Sequence, residues 1–543
     1  MSSGASPVPD LIGAEASVRV DVETIRQALV FAFAAGSSQE VFDGVLTRAA
    51  LPPSEWRREV FARDLYIDEL VTKAFKVTIA GQTYPIRERY VARLLCEPPR
   101  DPRDVELRRG VLGEMSASPT MRADFEGVYL ALVRLFGLLC TARQPAPRVR
   151  RIEILRAVRD AFDRLADRFN GASSALSRLH DFGATITSGD GYRRLVALLD
   201  HEDGRVSLDL RLRVGADGEV RSMDIVGLRE NRENIFYASV LHRLIVRWVL
   251  MFRGVRTTGE EVVERVLSEV FTGVEEEVAM LVPLIGDMEF FIGALCFRDR
   301  AAKMGLEMTL PSLVEPGAPF EVTGLFNPLL LASGLAPSLC DIRAGAGAVV
   351  VVTGPNSGGK TRLLQAIAIA QLLSQSGLFV PASAARIPHA SGLFASLFEE
   401  ARADQPEGHL GMELLRIRRC FDDLDADALV VIDELCSGTN PSEGEEIARL
   451  VLSLLPELGA RGFITTHLLK FAATLAEEHA VKPRGFAIEF LQVELDAGER
   501  PTYRFVPGVA RTSLAHKTAE RLGVTRGELL ARIAAKRAKR LGD

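Results

Sequence analysis

A glycine-rich loop between an apolar strand and an apolar helix is the feature that most limits how this chain can fold. The loop runs Gly354, Pro355, Asn356, Ser357, Gly358, Gly359, Lys360 and Thr361. Its spacing fits the pattern GxxxxGK followed by Ser or Thr. Residues 348–352 before the loop are all apolar and predict a buried strand, and residues 363–372 after it carry an apolar helix face. This order predicts a site for the phosphate groups of a nucleotide.

The residue types in this loop suit ATP and Mg²⁺. Glycines let the backbone pass close to phosphate oxygens and direct N–H groups at them, and the start of the helix adds a favourable dipole. Lys360 can reach the β- and γ-phosphates, and the Thr361 hydroxyl can ligate Mg²⁺. We therefore expect residues 354–361 to bind ATP.

Two later strands end in residues that suit hydrolysis. The buried strand predicted at 429–432 is followed by Asp433 and Glu434. At this place Asp433 would hold Mg²⁺, and Glu434 would polarise the attacking water. A third predicted strand, 463–466, ends at His467, which could contact the γ-phosphate. We therefore predict Glu434 and His467 as catalytic residues, and Thr361 and Asp433 as metal ligands.

The whole chain sets wider limits. Its 543 residues are too many for one core and predict two to four domains. We find no uncharged apolar run of the roughly 18–20 residues that a membrane span needs; the nearest candidate, 240–252, is interrupted by Arg243 and Arg247.

The six cysteines form no CxxC pair, which favours buried reduced thiols in a cytoplasmic protein. The net charge of −6 leaves DNA contact to local patches.

The hydrophobic period changes along the chain. Residues 20–145 and a stretch from about 148 to 199 have helical spacing, with a proline-rich break at 144–147 between them. Apolar and polar residues then alternate over 206–214, and a turn leads to a return strand at 220–226, which predicts a β-hairpin. From residue 348 onward strand and helix signals alternate, which favours a mostly parallel sheet with flanking helices.

The motifs together resemble the ATPase domain of MutS proteins, most clearly over residues 320–530. The segments that carry the resemblance are Gly354 to Thr361, Phe379 to Ala382, Asp433 to Thr439 and Thr465 to His467. The run from Ser437 to Gly444 is closer to the bacterial second MutS branch than to the mismatch-repair branch. Upstream, helical arms around an insert are similar to the MutS core and lever region.

This resemblance implies a multidomain fold. A mainly α-helical N-terminal core and lever arms, with a small β-hairpin insert, would precede a C-terminal α/β P-loop ATPase domain of the ABC type. We expect a disordered tail at 1–19, a helical core at 20–145 and lever helices at 146–310 with the β insert at 203–230. The ATPase domain with its C-terminal helices would occupy 311–543.

The resemblance also implies how the protein works. It implies a homodimer through the ATPase domain, with composite ATP sites coupled to the levers and to a clamp that embraces DNA. On the family pattern Asn356, Lys360 and Thr361 bind nucleotide and Mg²⁺, and Asp433 and Glu434 serve the metal and the water. His467 would sense phosphate. A further segment, 437–439, would face the partner subunit.

The chain departs from the family pattern at several places. The Ser-Thr pair of the family's signature loop falls on Gly408 and His409. The basic-His-Pro motif before the glycine-rich loop is replaced by Phe326, Asn327 and Pro328. We also expect neither an N-terminal mismatch-reading domain nor a C-terminal nuclease-like module.

Several basic clusters could contact DNA, and each could equally be a solvated face. They are Arg143, Arg148, Arg150 and Arg151; Arg211 and Arg213; and Arg532, Lys536, Arg537, Lys539 and Arg540.

The leading function is a MutS-like ATPase that binds mismatched or branched DNA in repair or recombination control. The alternative is a nucleotide-switched scaffold for a protein partner. A third, a transport-type or chromosome-condensing ATPase, lacks its Ser-Gly-Gly-type signature and its long coiled-coil arms.

Overall fold

The computed structural model of the chain mixes helices and sheets in two compact units. It describes residues 7–36, 39–141, 147–202, 206–214, 220–230, 259–397, 409–436, 440–481, 487–511, 520 and 522–541. The first unit comprises Met1–Pro52, Lys76–Leu94 and Asp101–Leu295. The second comprises Pro53–Phe75, Leu95–Arg100 and Cys296–Asp543.

The helices concentrate in the first half of the chain. They are α1 (Val22–Ala35), α2 (Gln39–Thr47), α3 (Ile67–Ala74), α4 (Glu88–Cys96), α5 (Pro102–Ala117), α6 (Pro119–Cys140), α7 (Pro147–Asp167), α8 (Ser177–Thr187), α9 (Asp190–Glu202), α10 (Gly259–Thr272), α11 (Glu275–Lys303), α12 (Pro328–Ala332), α13 (Lys360–Gln375), α14 (His409–Asp423), α15 (Pro441–Leu454), α16 (Leu469–Val481) and α17 (Arg526–Leu541). A short 3-10 helix spans Arg58–Val60.

The strands concentrate in the second half. They are β1 (Val77–Ile79), β2 (Gln82–Tyr84), β3 (Val206–Val214), β4 (Val220–Glu230), β5 (Ser312–Val314), β6 (Phe320–Leu325), β7 (Cys340–Ala344), β8 (Val349–Thr353), β9 (Ala384–Pro388), β10 (Leu393–Ser396), β11 (Leu429–Ile432), β12 (Arg461–Thr465), β13 (Ile488–Leu495) and β14 (Pro501–Pro507). The predicted β-hairpin is present, because β3 and β4 pair antiparallel and Arg211 lies opposite Asp224. The side chains of Arg211 and Arg213 lie outside the described part of the structure.

The first unit is a helical bundle with aromatic contacts between its helices. The rings of Phe33 on α1 and Phe271 on α10 stack with centroids 4.2 Å apart. Helix ends are closed by short polar side chains; Asp101 accepts from the backbone N–H of Arg103 at the start of α5, where Pro102 occupies the first turn. The apolar helix spacing in the sequence therefore corresponds to buried faces in this unit.

Part of the segment expected to be a disordered tail, residues 1–19, is folded in the structure. Residues 1–6 lie outside the described part, but Asp10 and Arg19 are buried and form an ion pair at 3.1 Å. Arg19 also donates to the Tyr90 hydroxyl at 2.7 Å and pairs with the buried Asp287 on α11. Burial raises the pKa of Asp287 to about 7, and the Arg19 guanidinium opposes that rise. The segment is ordered because its charged groups find partners inside the unit.

The second unit is built on a six-stranded sheet. Its strand order is β10-β11-β12-β8-β13-β14, with all neighbours parallel except the antiparallel β13 and β14. Every residue of β8, β11 and β12 is buried, which explains the apolar runs of β8 and β11. A smaller sheet with the order β5-β9-β6-β7 accompanies it.

One segment from the first half of the chain, Pro53–Phe75, lies in the second unit. The sequence predicts a single boundary at residue 310, with the ATPase domain entirely after it. The Trp56 indole N–H donates to the carbonyl of Ala390 at 3.2 Å. The Asp64 carboxylate accepts from the backbone N–H of Leu397 at 2.7 Å, where β10 ends. The core region expected at 20–145 is therefore not one contiguous body, since Pro53–Phe75 packs with the large sheet.

One helix among the described residues is long and apolar enough to cross a membrane. It is α11, and 94% of its most apolar window is buried inside the fold, as in a core helix. The segment 240–252 singled out in the sequence lies outside the described residues. All six cysteines are free, and five of them are buried.

Candidate functional site

The glycine-rich loop joins β8 to α13 and needs its glycines at two positions. Gly354 has a φ of 147°, and a Cβ there would lie 2.5 Å from a side-chain carbon of Val493. Gly359 has a φ of 87° at the start of α13, where a side chain is strained. The loop therefore turns tightly and leaves the first N–H groups of α13 without helical partners.

Lys360 lies at the centre of this loop. Its side chain is buried, and Nζ donates to the carbonyls of Gly354 and Pro355 at 3.1 Å each. Burial lowers the pKa of Lys360, and the nearby carboxylates of Asp433 and Glu434 oppose that change. Two loop carbonyls thus hold the Lys360 ammonium inside the loop, whose backbone N–H groups suit a phosphate oxygen.

Asp433 connects the loop to the ends of two strands. It follows β11, is 7% exposed, and accepts hydrogen bonds from the hydroxyls of Thr361 and Thr465. Thr361 lies in the first turn of α13, and Thr465 is the last residue of β12. Two residues that lie 72 positions apart in the chain, Thr361 and Asp433, are therefore in direct contact.

This pair of oxygen donors fits Mg²⁺. Mg²⁺ prefers hard oxygen ligands and is commonly bound by one or two carboxylates together with substrate phosphates and water. The Thr361 hydroxyl and the Asp433 carboxylate supply two such oxygens beside the phosphate loop. Among the described residues no group of three or more His, Cys, Asp or Glu forms a self-sufficient metal site. A metal here would depend on the nucleotide for further ligands.

Glu434 and His467 form a second contact at the same edge of the sheet. Nε2 of His467 lies 2.6 Å from Oε1 of Glu434. Both side chains are partly exposed, at 29% for His467 and 48% for Glu434. The backbone N–H of Glu434 donates to the Thr465 hydroxyl at 2.7 Å. The side chain of Glu434 thus contacts His467 and also lines the adjoining cavity.

The cavity has a volume of about 720 Å³ and is lined by both loop residues and apolar side chains. The predicted residues Asn356, Ser357, Gly358, Gly359, Lys360, Thr361 and Glu434 all line it. The apolar and aromatic side of the cavity comes from Leu325, Leu330, Leu335, Tyr503 and Phe505. This size is ordinary for a small-molecule site, and a polar end facing an apolar end suits a nucleotide.

Asn327 occupies the place of the family's histidine and has a structural role. It is buried, and its Oδ1 accepts from the backbone N–H of Leu329 at 2.9 Å, which caps α12. Its Nδ2 donates to the carbonyl of Arg362 on α13 at 2.9 Å. Asn327 therefore connects α12 to α13, the helix that follows the glycine-rich loop, and it also lines the cavity.

Sequence reasoning missed three residues of this site. Thr465 joins Asp433 to the backbone of Glu434; the sequence marked it only as part of the Thr465 to His467 segment that resembles MutS proteins, with no role of its own. Glu413 and Arg416 on α14 bond to the turn that carries Asp433 and Glu434. Glu413 belongs to the Met-x-Glu-like stretch by which the family's signature loop is located. No spacing pattern predicts a role at this turn for Glu413 or Arg416, because a separate helix brings them in.

The residues of the predicted basic clusters differ in their exposure to solvent. Arg150 is buried and donates to five backbone carbonyls, those of Ala32, Phe33, Leu138, Leu139 and Thr141. Arg150 is therefore neither part of a DNA-facing patch nor part of a solvated face, the two alternatives that the sequence left open. Arg532 and Lys536 on α17 are exposed. Arg143, Gly408 and the segment 437–439 lie outside the described residues, as do the side chains of His409, Arg537, Lys539 and Arg540.

Comparison with known proteins identifies the region that contains this site. The family model "MutS domain V" matches residues 350–532. The chain is 35% identical over 176 residues to "Endonuclease MutS2" of Thermus thermophilus, which covers 32% of this chain and 23% of that protein. It is 36% identical over 181 residues to "Endonuclease MutS2" of Thermomicrobium roseum, covering 32% and 22%.

A plant relative matches as well. The mitochondrial "DNA mismatch repair protein MSH1" of Arabidopsis thaliana is 32% identical over 200 residues, which is 35% of this chain and 18% of that protein. The matched part thus spans between about a sixth and a quarter of the length of these relatives. The resemblance to MutS, and to its second branch in particular, is confirmed for the region that contains the site.

Proposed function

We propose that this chain, which belongs to the MutS family through residues 350–532, binds ATP with Mg²⁺ and hydrolyses it slowly. The contact between Thr361 and Asp433 carries the proposal, because it joins the phosphate loop to the acidic strand end. A glycine-rich turn alone has many uses. A turn whose Thr touches the first of two strand-end carboxylates is the arrangement that phosphoryl transfer needs.

Each residue of the site has a place in this proposal. Backbone N–H groups at residues 354–361 and the Lys360 ammonium hold the phosphates. Thr361 and Asp433 would hold Mg²⁺, which would supply positive charge to neutralise phosphate oxygens. Glu434 orients the attacking water and accepts its proton. His467 bonds to the Glu434 carboxylate, and in this proposal it would also contact a γ-phosphate oxygen.

We further propose that the protein acts as a homodimer through its ATPase domain in the cytoplasm. ATP binding would switch the conformation of the helical unit, and the helical unit would bind mismatched or branched DNA in repair or recombination control. Family membership supports this part of the proposal. Exposed Arg532 and Lys536 are available for phosphate contacts.

A protein-binding scaffold is the second candidate. The buried Arg150 favours it, because the loss of this residue from the surface weakens one of the expected DNA patches. The net charge of −6 favours it too. In this version the same ATP switch would control a protein partner.

One assay separates the two candidates. ATP turnover and binding are measured with no DNA and with duplex, mismatched and branched DNA at about 50 mM salt, where phosphate contacts are strong. Lys360→Ala serves as the control for contaminating ATPases. Stimulation by one DNA class supports the first candidate. ATP turnover that no DNA changes, together with no DNA binding, supports the scaffold, and absence of any turnover or nucleotide binding defeats both.

A further inference from the structure

The four residues that follow β11 form an unusual turn. Glu434 has a φ of 55° and Cys436 a φ of 62°, so two non-glycine residues of this turn lie in the left-handed region. The Cβ atom makes that region unfavourable for both. Such residues persist when surrounding bonds determine their conformation, and they concentrate at functional sites. The turn must therefore be held from outside.

The sheet supplies part of that hold. The backbone N–H of Asp433 donates to the carbonyl of Ser396 at 2.9 Å, at the end of β10. On the other side, the N–H of Glu434 donates to the Thr465 hydroxyl at 2.7 Å. The N–H of Leu435 donates to the carbonyl of Thr465 at 3.1 Å.

Helix α14 supplies the rest. Arg416 Nη2 donates to the carbonyl of Asp433 at 3.1 Å and also to the carbonyl of Ser396. The Glu413 carboxylate accepts from the backbone N–H of Cys436. Glu413 is only 6% exposed, and it lies three residues before Arg416, so both side chains leave the same face of the helix.

These bonds fix one peptide plane from two opposite sides. The carbonyl of Asp433 and the N–H of Glu434 belong to the same peptide bond, which is planar. Arg416 bonds to its oxygen, and Thr465 bonds to its nitrogen. Rotation of this plane would change the φ of Glu434 and redirect its carboxylate away from the cavity that it lines.

We propose that Arg416 and Glu413 are positioning residues for hydrolysis, which hold the turn so that the Glu434 carboxylate faces the bound nucleotide. This inference rests on the proposed ATPase function. It gives α14 direct control over the hydrolytic carboxylate while leaving the phosphate loop untouched, so turnover and nucleotide affinity become separable.

The test compares two substitutions in α14 with a matched control in the same helix. Arg416→Ala should lower kcat by on the order of 10²-fold, because a small misplacement of a reacting group has an effect of that size. The dissociation constant for ATP should change less than about threefold, since the loop is unaltered. Arg416→Lys should restore part of the rate through its remaining donor. Arg418 is exposed on the same helix and pairs with Asp422. Arg418→Ala is the matched control and should leave kcat and the dissociation constant for ATP unchanged.

Glu413 gives an independent pair of variants. Glu413→Gln keeps an oxygen acceptor for the Cys436 N–H and should retain most of the activity. Glu413→Ala removes the acceptor and should lower kcat with little change in ATP affinity. Equal rates for Glu413→Ala and the unaltered protein would overturn the role of this residue.

A double substitution separates positioning from general damage to the fold. In a Glu434→Ala background, Arg416→Ala should cause no further loss of the residual turnover, because the group that it positions is gone. A further loss of similar size, or a parallel loss of ATP affinity in Arg416→Ala alone, would overturn the inference. Unaltered protein without turnover would defeat the proposed function, whereas turnover that Arg416→Ala leaves intact would defeat this inference alone.

Discussion

Nε2 of His467 lies 2.6 Å from Oε1 of Glu434, so the second residue after β12 and the second residue after β11 meet at one edge of the sheet. The parallel pairing of β11 with β12 brings them together, since Ile432 lies opposite Ile464. A carboxylate held by an imidazole in this way can be released when another acceptor, such as a phosphate oxygen, bonds to the ring. In the proposed ATPase, this contact would link nucleotide binding to the freedom of the Glu434 carboxylate.

Replacement of Glu434 by Gln should lower ATP turnover by about 10²- to 10⁴-fold, because a positioned general base contributes that much. Nucleotide affinity should stay within a few-fold of the unaltered protein, since the phosphate loop is unchanged. Steady-state phosphate release and a fluorescent-nucleotide titration measure the two quantities. Unchanged turnover would mean that Glu434 is not the base.

Replacement of Lys360 by Ala should raise the dissociation constant for ATP by about 10- to 100-fold, because a hydrogen bond to a charged group is worth about 1.5–3 kcal/mol. Isothermal titration calorimetry with Mg²⁺ present gives the constant. Lys470→Ala, at an exposed position on α16, is the matched control and should bind as the unaltered protein does. Equal affinity in both variants would contradict the assignment of the phosphate site.

Asp433→Asn should shift the Mg²⁺ dependence of turnover. The amide keeps an oxygen but loses the negative charge, so we expect the Mg²⁺ concentration for half-maximal rate to rise by about 10- to 100-fold. Asp422→Asn, an exposed position on α14, should leave the titration unchanged. A titration that is the same for both variants would remove Asp433 from the metal site. Chelation of Mg²⁺ should stop turnover in all forms.

Arg19→Ala should destabilise the helical unit by about 3–5 kcal/mol, because it leaves the charges of Asp10 and Asp287 buried without their partner. Urea denaturation followed by circular dichroism measures the change. Arg103→Ala removes an exposed ion pair with Asp101 and should lower the free energy of unfolding far less than Arg19→Ala does. Similar small losses in the two variants would show that the N-terminal segment contributes little to folding.

Local signals explain what the sequence could predict. The apolar run before Gly354 and the helix face after it predict β8 and α13, because the period and the turn residues are both local. The alternation over 206–214 predicts β3 for the same reason. The strand ends at Asp433, Glu434 and His467 could be placed by their position after apolar runs, while their chemical roles stay predictions.

Long-range contacts explain what it could not. Arg150 carries a charge that is typical of a surface, yet carbonyls at the ends of α1 and α6 satisfy it in the interior. Arg416 follows no motif, because its partners are backbone atoms that any sequence could supply. The packing of Pro53–Phe75 depends on contacts between distant parts of the chain, such as the bond between Asp64 and Leu397, which lie 333 positions apart. Hydrophobic periodicity is local and cannot predict such contacts.

The return of Pro53–Phe75 to the large sheet has a practical result for dissection of the protein. A fragment that starts at residue 311 would keep every phosphate-loop and strand-end residue but would expose the edge at β10. The Leu397 N–H would lose the Asp64 acceptor, and Asp423 would lose its 2.7 Å ion pair with Arg57. The unit that carries the candidate site is discontinuous in the sequence, so a fragment meant to preserve it must include the early segment as well as the late one.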